Sequence, residues 1–150
     1  MATLKAGDKA PEFTAKNQSG KNVSLSDFKG KKLVLYFYPK DNTPGCTAES
    51  CNLGEHYPEF TKKGYEVIGV STDNEKSHQN FKNKFNLPFD LLADTDKVLV
   101  SLYGVYGEKK LYGKPYMGTI RTTFIIDEKG IIEKVIDKVD TKAHASQILI

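Results

Sequence analysis

The longest unbroken apolar stretch of the chain runs from Leu33 to Tyr38, six residues closed by Pro39. A run this short, apolar on both faces, suits a central strand covered by helices on either side. Glu66-Val67-Ile68-Gly69-Val70-Ser71 is a second strand of that buried type, and Phe89 to Leu92 a shorter one. Phe13 to Lys16 and Asn22 to Leu25 flank the polar turn Asn17-Gln18-Ser19-Gly20, a hairpin signal. A helical stretch spans Pro44 to Lys63. Asn74 to Phe85 is a polar helix with Phe81 and Phe85 facing inward at i, i+4. Asp96 to Tyr103 reads as a short helix. Thr122 to Asp127, the turn Glu128-Lys129-Gly130 and Ile131 to Val139 form a second hairpin, and Lys142 to Ile150 a final helix.

The order is therefore hairpin, strand, helix, strand, helix, strand, helix, hairpin, helix. That alternation predicts an α/β layer fold. Strand–helix–strand followed by a terminal hairpin and helix is thioredoxin-like: a central mixed β-sheet flanked by helices, with an N-terminal β-hairpin. The 150 residues fit one domain spanning 1–150, and the order by itself says nothing of function.

Composition narrows the classes. The chain is 39% hydrophobic and 27% charged, which excludes a disordered or fibrous polypeptide. Its 22 basic and 19 acidic residues leave a net charge of +3, and its aromatics are not interleaved with basic clusters; neither feature supports nucleic-acid binding. A membrane-spanning helix needs about 20 apolar residues, so no membrane span is expected. Met1-Ala2-Thr3-Leu4-Lys5-Ala6-Gly7-Asp8 lacks the apolar core of a signal peptide, so a cytoplasmic location is the expectation.

Chemistry enters with two cysteines, Cys46 and Cys51. Two thiols in a domain able to bury an adequate core are a poor case for a structural staple. Free cysteines are often no more than small buried hydrophobes. The setting of Cys46 argues otherwise. A buried strand stops at Pro39 and a loop follows. Thr43 suits an N-cap and Pro44 the first helical position. Gly45 permits close approach of a ligand or another chain segment. Cys46 then falls in the first helical turn, where unpaired N–H groups and the helix dipole favour an anion. The nucleophilic form of cysteine is the thiolate. Lowering a thiol pKa from about 8.5 to about 6 raises that form roughly thirtyfold at pH 7. Such a gain helps without sufficing; the electrophile must also be aligned and its leaving group stabilised.

The spacing adds a constraint. Residues i and i+5 of a helix have Cα atoms roughly 8.7 Å apart. A disulfide needs about 7 Å or less. If both cysteines are helical, they can join only after the helix locally unwinds, giving a folded reduced form and a locally melted oxidised one. Gly45, Asn52 and Gly54 are poor helix formers that lower the cost of that change.

Pro39, Thr43 and Cys46 together spell P-x-x-x-T-x-x-C, and the run Phe37-Tyr38-Pro39-Lys40-Asp41-Asn42-Thr43-Pro44-Gly45-Cys46-Thr47 resembles the active-site segment of peroxiredoxins. With Cys51 five residues on, the chain is similar to the Q-type or bacterioferritin comigratory protein subgroup. The likeness continues in Val67 to Ser71 and in Arg121-Thr122-Thr123-Phe124-Ile125-Ile126-Asp127. The resemblance implies a thiol-dependent peroxidase acting on hydrogen peroxide and organic hydroperoxides. Cys46 would attack a peroxide oxygen and become a sulfenic acid; Cys51 would resolve it as an intramolecular disulfide. Thr43 would hydrogen-bond sulfur and peroxide through its hydroxyl. Arg121 would favour the sulfur anion and hold the peroxide oxygens in line. Pro39 would shape the loop and shield the sulfur from water. The resemblance further implies recycling by thioredoxin or glutaredoxin, no metal or organic cofactor, and a monomer. Glu49, three residues past Cys46, is placed to orient Arg121 by a charge-assisted pair.

Two rivals stand beside this reading. A thioredoxin-type thiol–disulfide oxidoreductase would prefer C-x-x-C, whereas four residues separate these cysteines. A non-enzymatic peroxide sensor would use the same cysteine but react once. Among the other residues, His56, His78 and His144 are candidates for a Cys–His pair or a zinc site, but Cys46, Cys51 and His56 match no common zinc spacing. Tyr103, Tyr106, Tyr112 and Tyr116 read as core and loop packing, and the lysine clusters 29–32 and 62–63 as solvated charge.

Overall fold

The computed structural model describes residues 4–149. Nine strands and five α-helices follow the chain in the order β1 (Thr14–Lys16), β2 (Asn22–Ser24), β3 (Lys32–Phe37), α1 (Pro44–Glu55), α2 (Tyr57–Lys62), β4 (Tyr65–Ser71), α3 (Glu75–Phe85), β5 (Asp90–Ala93), α4 (Val98–Leu102), β6 (Tyr106–Leu111), β7 (Lys114–Thr119), β8 (Thr122–Ile126), β9 (Ile132–Ile136) and α5 (His144–Ile148) among the described residues. The expected final helix thus starts two residues late, and its end at Ile150 lies outside the described residues, as do Met1 to Thr3.

The central sheet is mixed, in the order β5-β4-β3-β8-β9. β3, β4 and β5 are parallel; β8 is antiparallel to β3, and β9 to β8. The unbroken apolar run therefore occupies the middle of the sheet, and its alternate side chains feed two cores. Leu33, Leu35 and Phe37 meet Val100 of α4, Phe13 and Val23 of the N-terminal hairpin region. Val34, Tyr36 and Tyr38 point the other way, towards Leu53, Phe60, Phe81 and Ile148 of α1, α2, α3 and α5.

The depth of α1 on the sheet is set by a missing side chain. A Cβ at Gly69 of β4 would come within 2.8 Å of both Leu91 and the Tyr36 ring. The space lets Tyr36 lie across β4, and its hydroxyl hydrogen-bonds Ser50 Oγ of α1 at 2.8 Å.

Two features depart from the sequence-based expectation. The helix expected from Pro44 to Lys63 is broken at His56. Pro58 has no N–H to give the preceding turn and its ring would strike that turn's carbonyl, so a new helix starts with proline in its first turn. The second departure is the hairpin β6–β7, in a region where the sequence predicts only core and loop packing. Its turn, Tyr112-Gly113, has positive φ at both residues (52° and 79°), the geometry that matches strand twist in two-residue hairpins.

Candidate active site

The topology brings two loops to one edge. Phe37, the last residue of β3, pairs with Thr122, the first of β8. The segment leaving β3 through Pro39 to Thr43 and the Arg121 that precedes β8 therefore emerge side by side. α1 begins there, with Pro44 in its first turn and Cys46 two residues further on. The first N–H groups of that helix have no helical acceptor and point towards the sulfur's end of α1.

Cys46 is only 1% exposed. Arg121 Nη2 donates to its Sγ at 3.4 Å, and Arg121 Nη1 donates to Glu49 Oε1 at 2.6 Å. The guanidinium is thus forked between a sulfur and a carboxylate one helical turn apart, a use of its fixed donor geometry that lysine could not reproduce. Burial works against the charge on Arg121, but Cys46 and Glu49 outweigh it and raise its pKa. Gly45 explains the close approach: a Cβ there would lie 3.2 Å from Arg121 Nη2. What comes close to this glycine is the arginine.

Thr43 is the N-cap residue of α1, yet its hydroxyl caps no helical N–H. It donates instead to Lys40 O at 2.8 Å, so the hydroxyl–sulfur bond implied by the resemblance is not made in this arrangement. Pro39 is half-buried and lines a groove with Lys109, Tyr116 and Thr119 of the β6–β7 hairpin. Cys51 lies half-buried on α1, five residues past Cys46, and both cysteines are free. Burial, and then the charge of Glu55, push the Cys51 thiol up.

Some contributors carry no signal in the local sequence. Lys109 donates to Thr119 O at 2.9 Å; burial and the Arg121 charge lower its pKa, while Cys46 pulls the other way. Asp41, in the loop before Cys46, is buried. It accepts from Tyr38 Oη at 2.6 Å and from Ser77 Oγ at 2.8 Å, and lies 2.7 Å from His78 Nδ1. His78 Nε2 in turn lies 2.8 Å from Leu92 O. This network pins the loop to α3 and β5. Asp41, Asp73 and His78 place three ligand-type atoms within 4.8 Å of one another. Each is already engaged, Asp73 Oδ2 by the Asp41 N–H at 2.8 Å and Ser71 Oγ at 2.6 Å, so the cluster works as a hydrogen-bonded brace.

A buried cysteine at a helix start, with an arginine forked onto it and a second cysteine on the same helix, has clear relatives. Residues 6–135 match the sequence profile of the AhpC/TSA family. Peroxiredoxin Bcp of Bacillus subtilis is 46% identical over 147 residues, covering 98% of this chain and 94% of that one. The chain belongs to the AhpC/TSA family. Among solved structures, a cysteine-to-serine variant of Xylella fastidiosa PrxQ superposes with a TM-score of 0.93 at 33% identity, covering 99% of this chain and 95% of that one. Xanthomonas campestris bacterioferritin comigratory protein, described for its alkyl peroxide reduction activity, superposes with a TM-score of 0.89 at 36% identity, covering 98% and 95% of the two chains. The chain is a peroxiredoxin of the Bcp and PrxQ group on a thioredoxin-like fold, an enzyme of thiol-dependent peroxide reduction that draws on a thioredoxin-type reductant. No helix among the described residues is long and apolar enough to cross a membrane.

Proposed function

We propose that Cys46 is the peroxidatic thiol of this peroxiredoxin and Cys51 its resolving partner. The observation that carries the assignment is the Arg121 guanidinium, whose Nη2 donates to Cys46 Sγ at 3.4 Å while Nη1 is held by Glu49. The guanidinium sets a positive charge and an N–H donor beside the sulfur, whose nucleophilic form is the thiolate. The thiolate attacks the terminal oxygen of a hydroperoxide ROOH; an S–O bond forms, the O–O bond breaks, and RO⁻ leaves to take up a proton as ROH. Negative charge builds on the departing oxygen in this step. The Arg121 N–H groups and the free N–H groups of Gly45 and Cys46 are donors suited to stabilise it. Thr43 joins them on rotation of its hydroxyl from Lys40 O towards the sulfur. Pro39 closes one wall.

The Cys51 thiolate then attacks the sulfenic sulfur of Cys46; an S–S bond forms, the S–O bond breaks, and hydroxide leaves to take up a proton as water. With both cysteines on an unbroken α1, about 8.7 Å apart at Cα, that step follows unwinding of the helix between them. A dithiol of the thioredoxin or glutaredoxin type restores two thiols and itself leaves as a disulfide. Hydrogen peroxide and organic hydroperoxides are the substrates, the cell cytoplasm is the setting, and the enzyme is one domain over 1–150 acting as a monomer without cofactor, nucleic acid or membrane. The two cores sharing one sheet support the single domain.

Intact mass after one equivalent of hydrogen peroxide tests the scheme. A loss of two hydrogens, with peptides containing Cys46 and Cys51 linked within one chain, is expected. A mass gain retained as a stable sulfenic or sulfinic acid, or a dimer linked between chains, would overturn the resolving role of Cys51.

A further inference from the structure

The carboxyl of Glu49 is wholly buried and only half satisfied. Oε1 accepts from Arg121, but Oε2 has no hydrogen-bond partner among the described residues. Across the α1–α5 interface, His144 Nε2 lies 3.6 Å from that oxygen, and His144 is also wholly buried.

The proton on the His144 ring can be located from its neighbours. Gln147 Nε2 donates to Lys138 O at 3.0 Å and Gln147 Oε1 accepts from the Asp140 N–H at 2.9 Å, which fixes the orientation of that amide. The acceptor Oε1 is 2.7 Å from His144 Nδ1, so Nδ1 carries hydrogen. In the neutral ring Nε2 then presents a lone pair, towards which Thr123 Oγ1 donates at 2.8 Å. That lone pair is taken by Thr123, so Glu49 Oε2 faces, at 3.6 Å and out of contact with water, a ring nitrogen that offers it no hydrogen. A proton on Oε2 relieves the repulsion between that oxygen and the electron pair of the nitrogen, from which it lies just beyond hydrogen-bond distance.

We propose that His144 is a positioning residue of the peroxidatic centre: by presenting no donor to Glu49 Oε2 it governs the charge on the carboxyl that orients Arg121. The inference rests on the role for Arg121 proposed above. Burial pushes Glu49 up to about 7 against the pull of Arg121, and burial, with a contribution from Arg121, lowers His144 below its ordinary value. Both shifts favour the uncharged forms, so Glu49 holds a proton at low pH and loses it near neutrality. The other groups facing the pair are Tyr36 of β3, whose phenol burial holds neutral, Cys46 on the same helix, and Asp140 beside His144. None of them supplies Glu49 Oε2 with a hydrogen bond.

The test is a carbon-13 titration of glutamate side-chain carboxyls in the reduced protein between pH 5 and 9, with the Glu49 signal identified by its absence in Glu49→Gln. The native enzyme is expected to show a Glu49 transition near pH 7. His144→Gln offers Oε2 an N–H donor, stabilises the carboxylate, and is expected to move the transition down by about one pH unit. Thr123→Val frees the Nε2 lone pair for the Glu49 O–H and moves it up, a second handle should the glutamine fail to fold. The pH dependence of Cys46 oxidation, followed by rapid quenching, must shift in the same direction in each variant. A Glu49 that titrates below pH 5 in the native enzyme, transitions that stay put in both variants, or an oxidation profile that ignores a moved transition would each overturn the proposal. The titration uses no peroxide, so its failure leaves the peroxidase assignment standing. Peroxide reduction surviving in Cys46→Ser would sink that assignment and not the role of His144.

Discussion

Asn52, the residue immediately after Cys51, ties α1 to α5 at both ends of its side-chain amide: Nδ2 donates to Lys142 O at 3.2 Å, and Oδ1 accepts from the Ala145 N–H at 2.8 Å. Unwinding α1 far enough for Cys51 to reach Cys46 breaks both bonds. Each is worth about 1 kcal/mol. Asn52→Ala is therefore expected to speed disulfide formation, by up to about thirtyfold, while leaving the rate of the first peroxide reaction unchanged. Rapid quenching with alkylation and mass analysis separates the two steps. An unaltered disulfide rate would place the unwinding elsewhere.

Arg121→Ala is expected to slow oxidation of Cys46 by about a hundredfold or more, because donors to the departing oxygen and the fork that aligns it are lost together. Arg121→Lys keeps the charge but cannot hold Cys46 and Glu49 at once, and should recover only part of the rate. A first step as fast as in the native enzyme would remove Arg121 from the chemistry.

Cys51→Ser is expected to consume about one equivalent of peroxide per chain, then stall or pass on to the sulfinic acid. Steady turnover of this variant with thioredoxin, thioredoxin reductase and NADPH is the contrary result.

Burial of Glu49 also leaves a mark on stability. Its carboxyl is raised in the folded chain from 4.5 to about 7, so between those values the native state binds more protons than the unfolded one. The contribution is fully favourable below about 4.5 and is lost as pH climbs through about 7. Glu49→Gln lacks this loss. The melting temperature of the variant relative to the native protein should therefore rise from pH 5 to pH 8, by an amount corresponding to roughly 3 kcal/mol at most. A difference independent of pH would show that Glu49 titrates in its ordinary range.

What could be read from the chain beforehand follows a physical divide. The β3 run, its stop at Pro39 and the helix start carrying Cys46 are local patterns, and they appear where the residues alone place them. Arg121 could be singled out only through resemblance, since nothing near it in sequence distinguishes it from a surface arginine; its partners belong to a helix that the β3–β8 pairing brings alongside. His144 is a harder case, because its neighbours Glu49 and Thr123 come from two other elements. The β6–β7 hairpin escaped because Tyr112-Gly113 lacks the asparagine or aspartate that ordinarily announces such a turn. The Thr43 hydroxyl shows the reverse: its position was legible and its partner in this arrangement, Lys40 O, was not.

Gly69 lies on β4, in the strand beside the one that leads to the sulfur, and touches none of the chemistry. Yet the Tyr36 ring occupies the place its side chain would take, and through Ser50 that ring fixes how far the cysteine-bearing helix sinks. One added methyl group there would lift a whole lever arm, carrying Cys46 out of register with a guanidinium anchored to the other neighbouring strand. The reactivity of the enzyme is in this sense calibrated from below, by an atom that is not there.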